Sequence, residues 1–351
     1  MFVNKSIKRA YKSKFLYVND NLTSYTNSGI RATVYGASGF IGSSICSRLG
    51  MIGSDVIMPT RFNKYYNDNI KMLRSDTNLS MGYVMFNMNF NDPNAVTRSI
   101  AKSNVVINLI GPSRKKKNLA DFEEANISVP QKLAREARRK GVKKFIHFSS
   151  VGADPKSSSL DLRTKYHGEL AVRDEFPEAI IMRPSTVIGF DDYFQRLVRK
   201  QAEYTFHFLC VYGNLNALRQ PIIDDDVAEA VMNAIKMNEA NGNVYELGGP
   251  FLYTRRELYE ILINIFKRPM DLIKIKPSIA LGITRYINSI YFNHEDFLKD
   301  DLDLIVKKEN GVKTIADLYV KPVSVVSKME HINFNYATKF NLTLEEKQLL
   351  K

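Results

Sequence analysis

The sequence predicts an α/β fold of the Rossmann-like, doubly wound type: a parallel sheet with a smaller, mainly helical C-terminal part. Three observations predict it. A glycine-rich turn joins a strand to a helix, short apolar runs alternate with helical segments, and this alternation loosens past residue 185. Apolar strands that alternate with helices are typical of a parallel sheet covered on both faces.

The first of these features is the turn that follows the apolar run Ala32–Tyr35. Gly36 permits a sharp turn, Gly39 lets backbone N–H groups approach a pyrophosphate, and Gly42 lets the helix pack close to the sheet. The N-terminus of that helix offers unpaired N–H donors and the positive end of its dipole. The spacing predicts a dinucleotide-binding turn with contacts from Gly36, Ser38, Gly39, Phe40, Ile41 and Gly42.

The predicted sheet continues with five more strands: Asp55–Met58, Tyr83–Phe86, Val105–Ile110, Phe145–Phe148 and Ala179–Met182. Helices between them include Ala120–Lys140 and Arg163–Glu175. Ligands of such sheets bind beyond the carboxyl ends of the strands, at the switch point. The strand ends therefore supply the other candidate contacts: Arg61, Asn89, Leu109, Ile110, Gly111, Ser149, Pro184 and Ser185.

The choice of dinucleotide depends on the residues after the second strand. An acidic residue there favours NAD because it hydrogen-bonds the ribose 2′-hydroxyl. This chain has Arg61, with Lys64 close behind, and a guanidinium fits a 2′-phosphate. The sequence therefore predicts NADPH or NADP rather than NAD, and the alternative is that Arg61 is a solvated surface charge.

Beyond residue 185, Gln220–Val227 indicates a short strand and the start of a helix, and Val244–Leu247 indicates another strand. Asp226 and Glu229 have the spacing of a capping box, which favours a helix cap over a metal site. We divide the chain into a basic N-terminal segment (1–29), a nucleotide-binding domain (30–250) and a helical or irregular C-terminal docking region (251–351). The apolar stretch 279–292 fits either a core helix or an interfacial one.

Bulk composition narrows the functional classes. Two cysteines cannot form a disulfide framework, the five histidines lack metal-ligand spacing, and no run of 18 apolar residues could span a bilayer. The formal net charge of +13 favours an anionic partner. Aromatic residues do not interleave with the basic runs, so nucleic acid is not expected. These runs are Arg114–Lys117 and Lys132, Arg135, Arg138, Arg139, Lys140, Lys143 and Lys144.

The N-terminal segment is basic, amphipathic and free of acidic residues before Asp20, which is typical of a mitochondrial targeting segment. A basic surface arm is the alternative. The two basic runs further along the chain fit a solvated face, an acidic protein partner or an anionic lipid such as cardiolipin.

Several stretches resemble the extended and atypical short-chain dehydrogenase/reductase superfamily, and within it the nucleotide-binding accessory subunits of mitochondrial respiratory complex I. Gln220-Pro221 with a following aspartate–valine pair fits as well, and the resemblance covers roughly residues 30–250. The stretches are Ala32–Gly42, Gly53–Arg61, Ser103–Gly111, Gly141–His147 and Phe176–Ser185.

The resemblance implies a Tyr-x-x-x-Lys pair in which tyrosine transfers the proton, lysine holds the nicotinamide ribose and serine polarises the substrate. Lys165 and Ser149 fit the lysine and the serine, but Asp161 stands where the tyrosine is expected. Residues four apart share a helix face, so we expect Asp161 to form a salt bridge with Lys165. An ionised carboxylate is a poor acid, and the sequence therefore predicts a nucleotide cradle with vestigial catalytic residues.

The resemblance implies an accessory subunit without activity of its own, peripheral to the matrix side of the mitochondrial inner membrane. Its partners would be other complex I subunits, and its bound NADP(H) would serve assembly or stability. Two alternatives stay open. One is an active atypical reductase or epimerase that uses Lys165 and Ser149, and the other is a regulatory protein that senses NADPH.

Overall fold

The computed structural model describes residues 28–61, 82–112, 118–190, 192–204, 208–266, 270–276, 278–279, 298–307 and 311–332. The strands in these ranges are β1 (Arg31–Tyr35), β2 (Asp55–Pro59), β3 (Gly82–Met85), β4 (Val105–Asn108), β5 (Lys144–Phe148), β6 (Ile180–Pro184), β7 (Val187–Ile188), β8 (Phe208–Val211), β9 (Leu218–Arg219), β10 (Ile222–Ile223), β11 (Val244–Leu247), β12 (Tyr253–Thr254), β13 (Asp271–Lys274) and β14 (Val312–Thr314). The α-helices are α1 (Phe40–Met51), α2 (Pro93–Ile100), α3 (Leu119–Glu123), α4 (Val129–Arg139), α5 (Leu160–Glu175), α6 (Tyr193–Tyr204), α7 (Asp224–Lys236), α8 (Arg255–Phe266) and α9 (325–332).

The central sheet has the strand order β14-β11-β6-β5-β4-β1-β2-β3, and all of its pairings are parallel. β1 lies between β2 and β4. The chain places β2 and β3 on one side of β1 and then returns to place β4 on the other side, so the strand order reverses between β1 and β4. Ligands of doubly wound sheets bind at this switch point. The predicted Rossmann-like α/β fold is confirmed.

The two faces of the sheet carry separate apolar cores. Successive side chains of a strand point to opposite faces. Ile107 packs in the core that α1 and α7 cover, whereas its neighbour Val106 packs in the core that α4 and α5 cover. A strand flanked in this way has few polar positions, which is why the central strands read as almost continuous apolar runs.

The predicted helical segment Ala120–Lys140 is helical from residue 119 to residue 139, and a π-helical turn, Glu124–Ser128, lies between α3 and α4. The turn presses against α5: a methyl group on Gly168 would lie only 1.9 Å from the carbonyl oxygen of Asn126. Pro130, which has no N–H to donate, follows directly. π-turns inside helices are often found at functional sites.

Two predicted helix starts also differ from the structure. α5 begins at Leu160 rather than Arg163, because the Ser159 hydroxyl accepts the N–H of Leu162. α7 begins at Asp224, so the predicted capping box at Asp226 is wrong. The Asp226 carboxylate instead accepts the N–H of Val323 at 2.8 Å.

A second, smaller lobe packs beside the carboxyl ends of the central strands. Its core joins α6, α8, α9 and the β8–β13 pair through Val198, Leu209, Leu262 and Met329. The chain beyond residue 250 supplies part of this lobe and also β14, the edge strand of the central sheet. In the described ranges, no helix is long and apolar enough to cross a membrane. Outside those ranges lie residues 1–27 of the predicted N-terminal segment 1–29, the basic run Arg114–Lys117 and all of 279–292 except Ile279.

Candidate nucleotide-binding site

The glycine turn after β1 leaves no room for side chains. Gly36 has a φ of +85°, which glycine adopts without strain. The Gly39 N–H donates to the Gly36 carbonyl at 2.9 Å, which closes the turn. A methyl group on Gly42 would lie 2.2 Å from that same carbonyl oxygen. The turn and the first residues of α1 are therefore packed backbone to backbone, as the sequence predicts.

The N-terminus of α1 faces the switch point with its donors uncapped. Gly39 is the N-cap residue, no side chain of the described residues caps the helix, and its first turn has no acidic residue. Ser38, Phe40 and Ile41 flank this end. Free N–H donors and the helix dipole at such an end favour an anionic group. This arrangement fits the pyrophosphate of a dinucleotide.

A pocket of about 120 Å³ lies at the ends of β2, β3 and β4, and β2 and β4 are the two neighbours of β1. It joins four predicted contacts from three strand ends: Arg61 after β2, Asn89 after β3, and Ile110 and Gly111 after β4. Arg61 and Asn89 are exposed, so both can meet a ligand. Lys64 lies outside the described residues. The pocket also has walls that the sequence analysis did not single out: Met88, Phe90, Asn91, Pro112, Glu124, Ala125 and Val129.

Leu109 belongs to the turn rather than to this pocket. Its N–H donates to the carbonyl of Tyr35 at 2.9 Å, and a methyl group on Gly36 would lie 3.1 Å from the Leu109 backbone. The ends of β1 and β4 are thereby fixed against each other. In the structure, Leu109 therefore helps to hold the glycine turn in position.

On the other side of the switch point, α5 presents a cluster of three charges. Asp161 Oδ2 lies 3.1 Å from Lys165 Nζ, one turn along the helix, as the sequence predicts. Lys299 Nζ, which comes from far along the chain, also bonds to Asp161 Oδ2. Asn126, in the π-turn, donates its side-chain N–H to Asp161 Oδ1 at 3.0 Å. Sequence spacing gives no signal for Lys299, because 138 residues separate it from Asp161.

Electrostatics fix the charge states of this cluster. Burial opposes ionisation of Asp161, but the ammonium groups of Lys165 and Lys299 outweigh it and hold the pKa of this carboxyl well below its ordinary value. Burial lowers the pKa of Lys165, an effect that the neighbouring Asp161 charge opposes. Asp161 is therefore an anion at neutral pH and has no proton to donate.

Two buried polar atoms beside the cluster have no hydrogen-bond partner among the described residues: Ser149 Oγ and His147 Nε2. His147 lies on β5, where its Nδ1 contacts the Asn108 amide at 3.0 Å. Burial and the charge of Lys165 lower the pKa of His147 to about 3, so the ring is neutral. Buried polar groups nearly always form hydrogen bonds, so Ser149 Oγ is positioned to hydrogen-bond a ligand from outside the chain.

The end of β6 is already satisfied from within the chain. The Pro184 carbonyl accepts the N–H of Val151 at 3.1 Å, and the Ser185 hydroxyl donates to the carbonyl of Leu304 at 2.8 Å. The structure thus brings Arg61, Asn89, Ile110 and Gly111 into one pocket. It pairs Asp161 with Lys165 on α5, leaves Ser149 Oγ after β5 without a partner among the described residues, and gives Ser185 a partner of its own.

Several side chains of the predicted basic run 132–144 form ion pairs or hydrogen bonds within the protein. Arg135 pairs with Glu175 at 2.6 Å and Arg139 with Glu136 at 2.7 Å. Lys144 is buried on β5, where its ammonium donates to the Met237 carbonyl at 2.6 Å. Including Lys144 in an exposed basic face is therefore wrong, because the strand turns its side chain towards the C-terminal end of α7.

A glycine turn that feeds a helix N-terminus at the switch point of a parallel sheet defines an NAD(P)-binding Rossmann fold. A comparison with family models extends this conclusion. The chain belongs to the NAD dependent epimerase/dehydratase family, whose model matches residues 32–248.

Named relatives agree with the predicted resemblance. The chain is 34% identical over 244 residues to NADH dehydrogenase (ubiquinone) 1 alpha subcomplex subunit 9, mitochondrial, of Mus musculus, which covers 69% of this chain and 62% of the mouse protein. It is 29% identical over 313 residues to the mitochondrial NADH-ubiquinone oxidoreductase 40 kDa subunit of Neurospora crassa, with coverage of 88% and 80%. The chain thus spans under two thirds of the length of the mouse relative.

Among solved structures, the chain is similar to a UDP-glucuronic acid 4-epimerase from Bacillus cereus in complex with UDP-glucuronic acid and NAD. The TM-score is 0.66 at 19% identity, and the match covers 89% of this chain and all of the epimerase chain. The similarity at this identity concerns the fold, including the lobe beside the carboxyl ends of the strands.

Proposed function

We propose that this chain is an accessory subunit of mitochondrial respiratory complex I that holds NADP(H) as a structural ligand. The named relatives support the complex, and the uncapped α1 turn together with the pocket that Arg61 lines supports the nucleotide. A ligand that binds only the folded state stabilises it by mass action, which gives binding a purpose without turnover.

One observation carries the non-catalytic part of the proposal. In the superfamily that the sequence resembles, a phenol at the position of Asp161 would transfer the proton. Here that position holds a buried carboxylate bonded by Lys165 and Lys299, with its pKa held low. Carbonyl reduction needs a proton donor next to the substrate, and this anion cannot serve as one.

The choice of NADP(H) rests on Arg61. It is exposed at the end of β2 and lines the pocket at the ends of β2, β3 and β4. A guanidinium can bind a 2′-phosphate in a bidentate manner, and a 2′-hydroxyl gives it no charge to pair with.

An Arg61→Ala variant tests this choice. We expect its NADPH affinity to fall by about tenfold or more and its NADH affinity to change little, since one lost charge-assisted contact costs about 1.5–3 kcal/mol. Isothermal titration with both nucleotides measures the effect. Arg98→Ala, an exposed arginine on α2, is the control. Equal losses for NADPH and NADH in Arg61→Ala would show that Arg61 does not contact the 2′-phosphate.

Localisation and assembly follow from the same proposal: the chain would be peripheral, on the matrix side of the inner membrane, bound to other complex I subunits. The basic face of α4 and the stretch 279–292 would then be candidate contacts for an acidic subunit or for cardiolipin. Native electrophoresis of mitochondrial membranes tests this directly. We expect the chain to migrate with complex I, and a lone soluble species would contradict the proposal.

A second candidate is an active reductase or epimerase that uses Lys165 and Ser149, and the Ser149 hydroxyl, which has no partner among the described residues, favours it. Nucleotide extracted from the purified chain separates the two. Stoichiometric NADP(H) that exchanges slowly supports the structural role, whereas fast exchange with turnover of carbonyl substrates supports the enzyme. A regulatory NADPH sensor would instead show fast exchange, no turnover, and a partner affinity that follows the redox state.

A further inference from the structure

The segment 299–307 is bonded to the second lobe on one side and to the carboxyl ends of central strands on the other, and we call it the strap. Two arginines hold it on the lobe side, and both are almost fully buried, with side chains 4% and 6% exposed. Arg255 donates to Asp300 Oδ2 at 2.7 Å, and Arg219 donates to Asp300 Oδ1 at 3.4 Å. Arg219 also donates to the carbonyls of Lys299, at 3.1 Å, and Leu302. A buried guanidinium pair of this kind anchors a chain segment firmly.

The other side of the strap is bonded to the sheet. Its Leu304 carbonyl accepts the Ser185 hydroxyl at the end of β6, and its Lys307 N–H donates to Glu246 on β11 at 2.9 Å. The Leu304 side chain sits over the loop after β5, where a methyl group on Gly152 would lie 3.0 Å from it. The strap therefore covers the ends of three neighbouring strands, β5, β6 and β11.

The first residue of the strap reaches the charge cluster on α5. The ammonium of Lys299 bonds to Asp161, which also pairs with Lys165. In a doubly wound sheet, a second ligand reaches the bound nucleotide over the carboxyl ends of these strands. Two of the polar groups beside these strand ends, Asp161 and Ser185, are bonded by the strap, whereas Ser149 Oγ has no partner among the described residues.

We infer that the strap is a built-in occupant of the substrate side of the nucleotide site. None of the hydrogen bonds given above joins the strap to the glycine turn or to the residues that line the Arg61 pocket. The site consequently accepts a dinucleotide and excludes the second, smaller ligand that a dehydrogenase or epimerase would bind. The inference deepens the proposed function, since an internally filled substrate side explains retention of nucleotide without turnover.

Hydrogen–deuterium exchange tests whether the strap is docked in solution. The N–H groups of Leu304, Val306 and Lys307 donate within the protein, at 3.0, 2.9 and 2.9 Å. We expect a peptide that covers them to exchange at least about tenfold more slowly than an unstructured chain, with and without nucleotide. Exchange at the unstructured rate in both states would overturn the inference.

A quenching experiment tests whether the docked strap closes the site. NADPH bound to the full chain is titrated with acrylamide while nicotinamide fluorescence is recorded. The double variant Lys299→Met/Asp300→Asn removes the charges that anchor one end of the strap and keeps the side-chain shapes. We expect its quenching constant to rise about threefold over that of the unmodified chain, since loosening the strap opens the site locally.

The control is Lys307→Met, which removes one positive charge from the strap and leaves the backbone N–H that donates to Glu246 in place. It should be quenched like the unmodified chain. Equal quenching of the double variant and the control would overturn the inference, as would strong quenching of the unmodified chain.

The two proposals fail separately. A chain that retains no NADP(H) but shows a protected strap contradicts the structural-ligand role and supports the strap. A chain that retains NADP(H) with an unprotected strap does the reverse. Circular dichroism of each variant confirms that it is folded before either result is used.

Discussion

The two halves of the site are built in opposite ways. At the end of β1, no side chain of the described residues caps the N-terminus of α1, and the first turn of this helix carries no acidic residue. On α5, Asp161 is paired twice from within the chain, and one of its two partners, Lys299, belongs to the strap. The first half is prepared for an external anion, and the second supplies its own counter-ions. Binding a nucleotide and acting on a substrate are thus physically separable tasks within one fold.

The largest expected effects come from substitutions of the turn glycines, which lie in the half of the site at the end of β1 (the open half). A methyl group on Gly42 would lie 2.2 Å from the Gly36 carbonyl oxygen, and one on Gly39 would lie 3.1 Å from it. We expect Gly42→Ala to cost about 3 kcal/mol or more and Gly39→Ala about 1 kcal/mol. Thermal unfolding of the nucleotide-free protein measures both. Gly111→Ala, where a methyl group meets open space, serves as the comparison and should leave the free energy of unfolding nearly unchanged. A flat series would contradict the packed turn.

Removing the Asp161 carboxylate should destabilise the half of the site around α5 (the closed half). Asp161→Ala leaves the ammonium groups of Lys165 and Lys299 close together without their shared anion, and we expect it to cost about 3 kcal/mol in denaturant unfolding at pH 7. Lys299→Met in the same background removes one of the two like charges and should recover part of the loss. If the double variant were less stable than Asp161→Ala, mutual repulsion would not be the cause.

The contribution of Asp161 to stability should also depend on pH. The pKa of Asp161 is held below its ordinary value, so its contribution to stability is present above the unfolded-state pKa of about 3.9. It is lost as the pH falls further towards the folded-state pKa. The stability difference between the unmodified chain and Asp161→Ala should therefore be constant from neutral pH to about pH 5 and shrink below pH 4. A difference that grows on acidification would contradict the assigned charge state.

The smallest effect is expected from a substitution at Ser149, the residue that follows β5. Its Oγ is buried and has no partner among the described residues, so Ser149→Ala should change the free energy of unfolding of the nucleotide-free chain by less than about 0.5 kcal/mol. With NADP(H) bound, losing a hydrogen bond from this hydroxyl should weaken binding by about fivefold. No difference between the loaded forms would mean that Ser149 does not contact the nucleotide.

The open half could be predicted from the sequence because its logic is local. Gly36, Gly39 and Gly42 act on one another across a single turn, and Arg61 follows its strand at the expected place. The Asp161–Lys165 pair was predictable for the same reason, since both residues lie on one helix. Each of these inferences needs only the period of a helix or the end of a strand.

The closed half could not be predicted because its contacts are distant in sequence. Lys299 reaches Asp161 from a segment with no regular pattern, and the π-turn at Asn126 arises where α5 offers Gly168 for close approach. The predicted capping box at Asp226 failed for a similar reason. Its carboxylate found a tertiary partner in Val323, which competes with the local cap.

The edge strand β14 also constrains when the chain can complete its fold during synthesis. β11 pairs with β6 on one side and with Val312–Thr314 on the other, although 64 residues separate Leu247 from that last strand in the chain. Until residue 314 has left the ribosome, the outer hydrogen-bonding edge of β11 has no strand to pair with. An unpaired edge invites pairing with other chains. Premature termination before this point would thus yield a chain with a complete nucleotide turn and an exposed, aggregation-prone sheet edge.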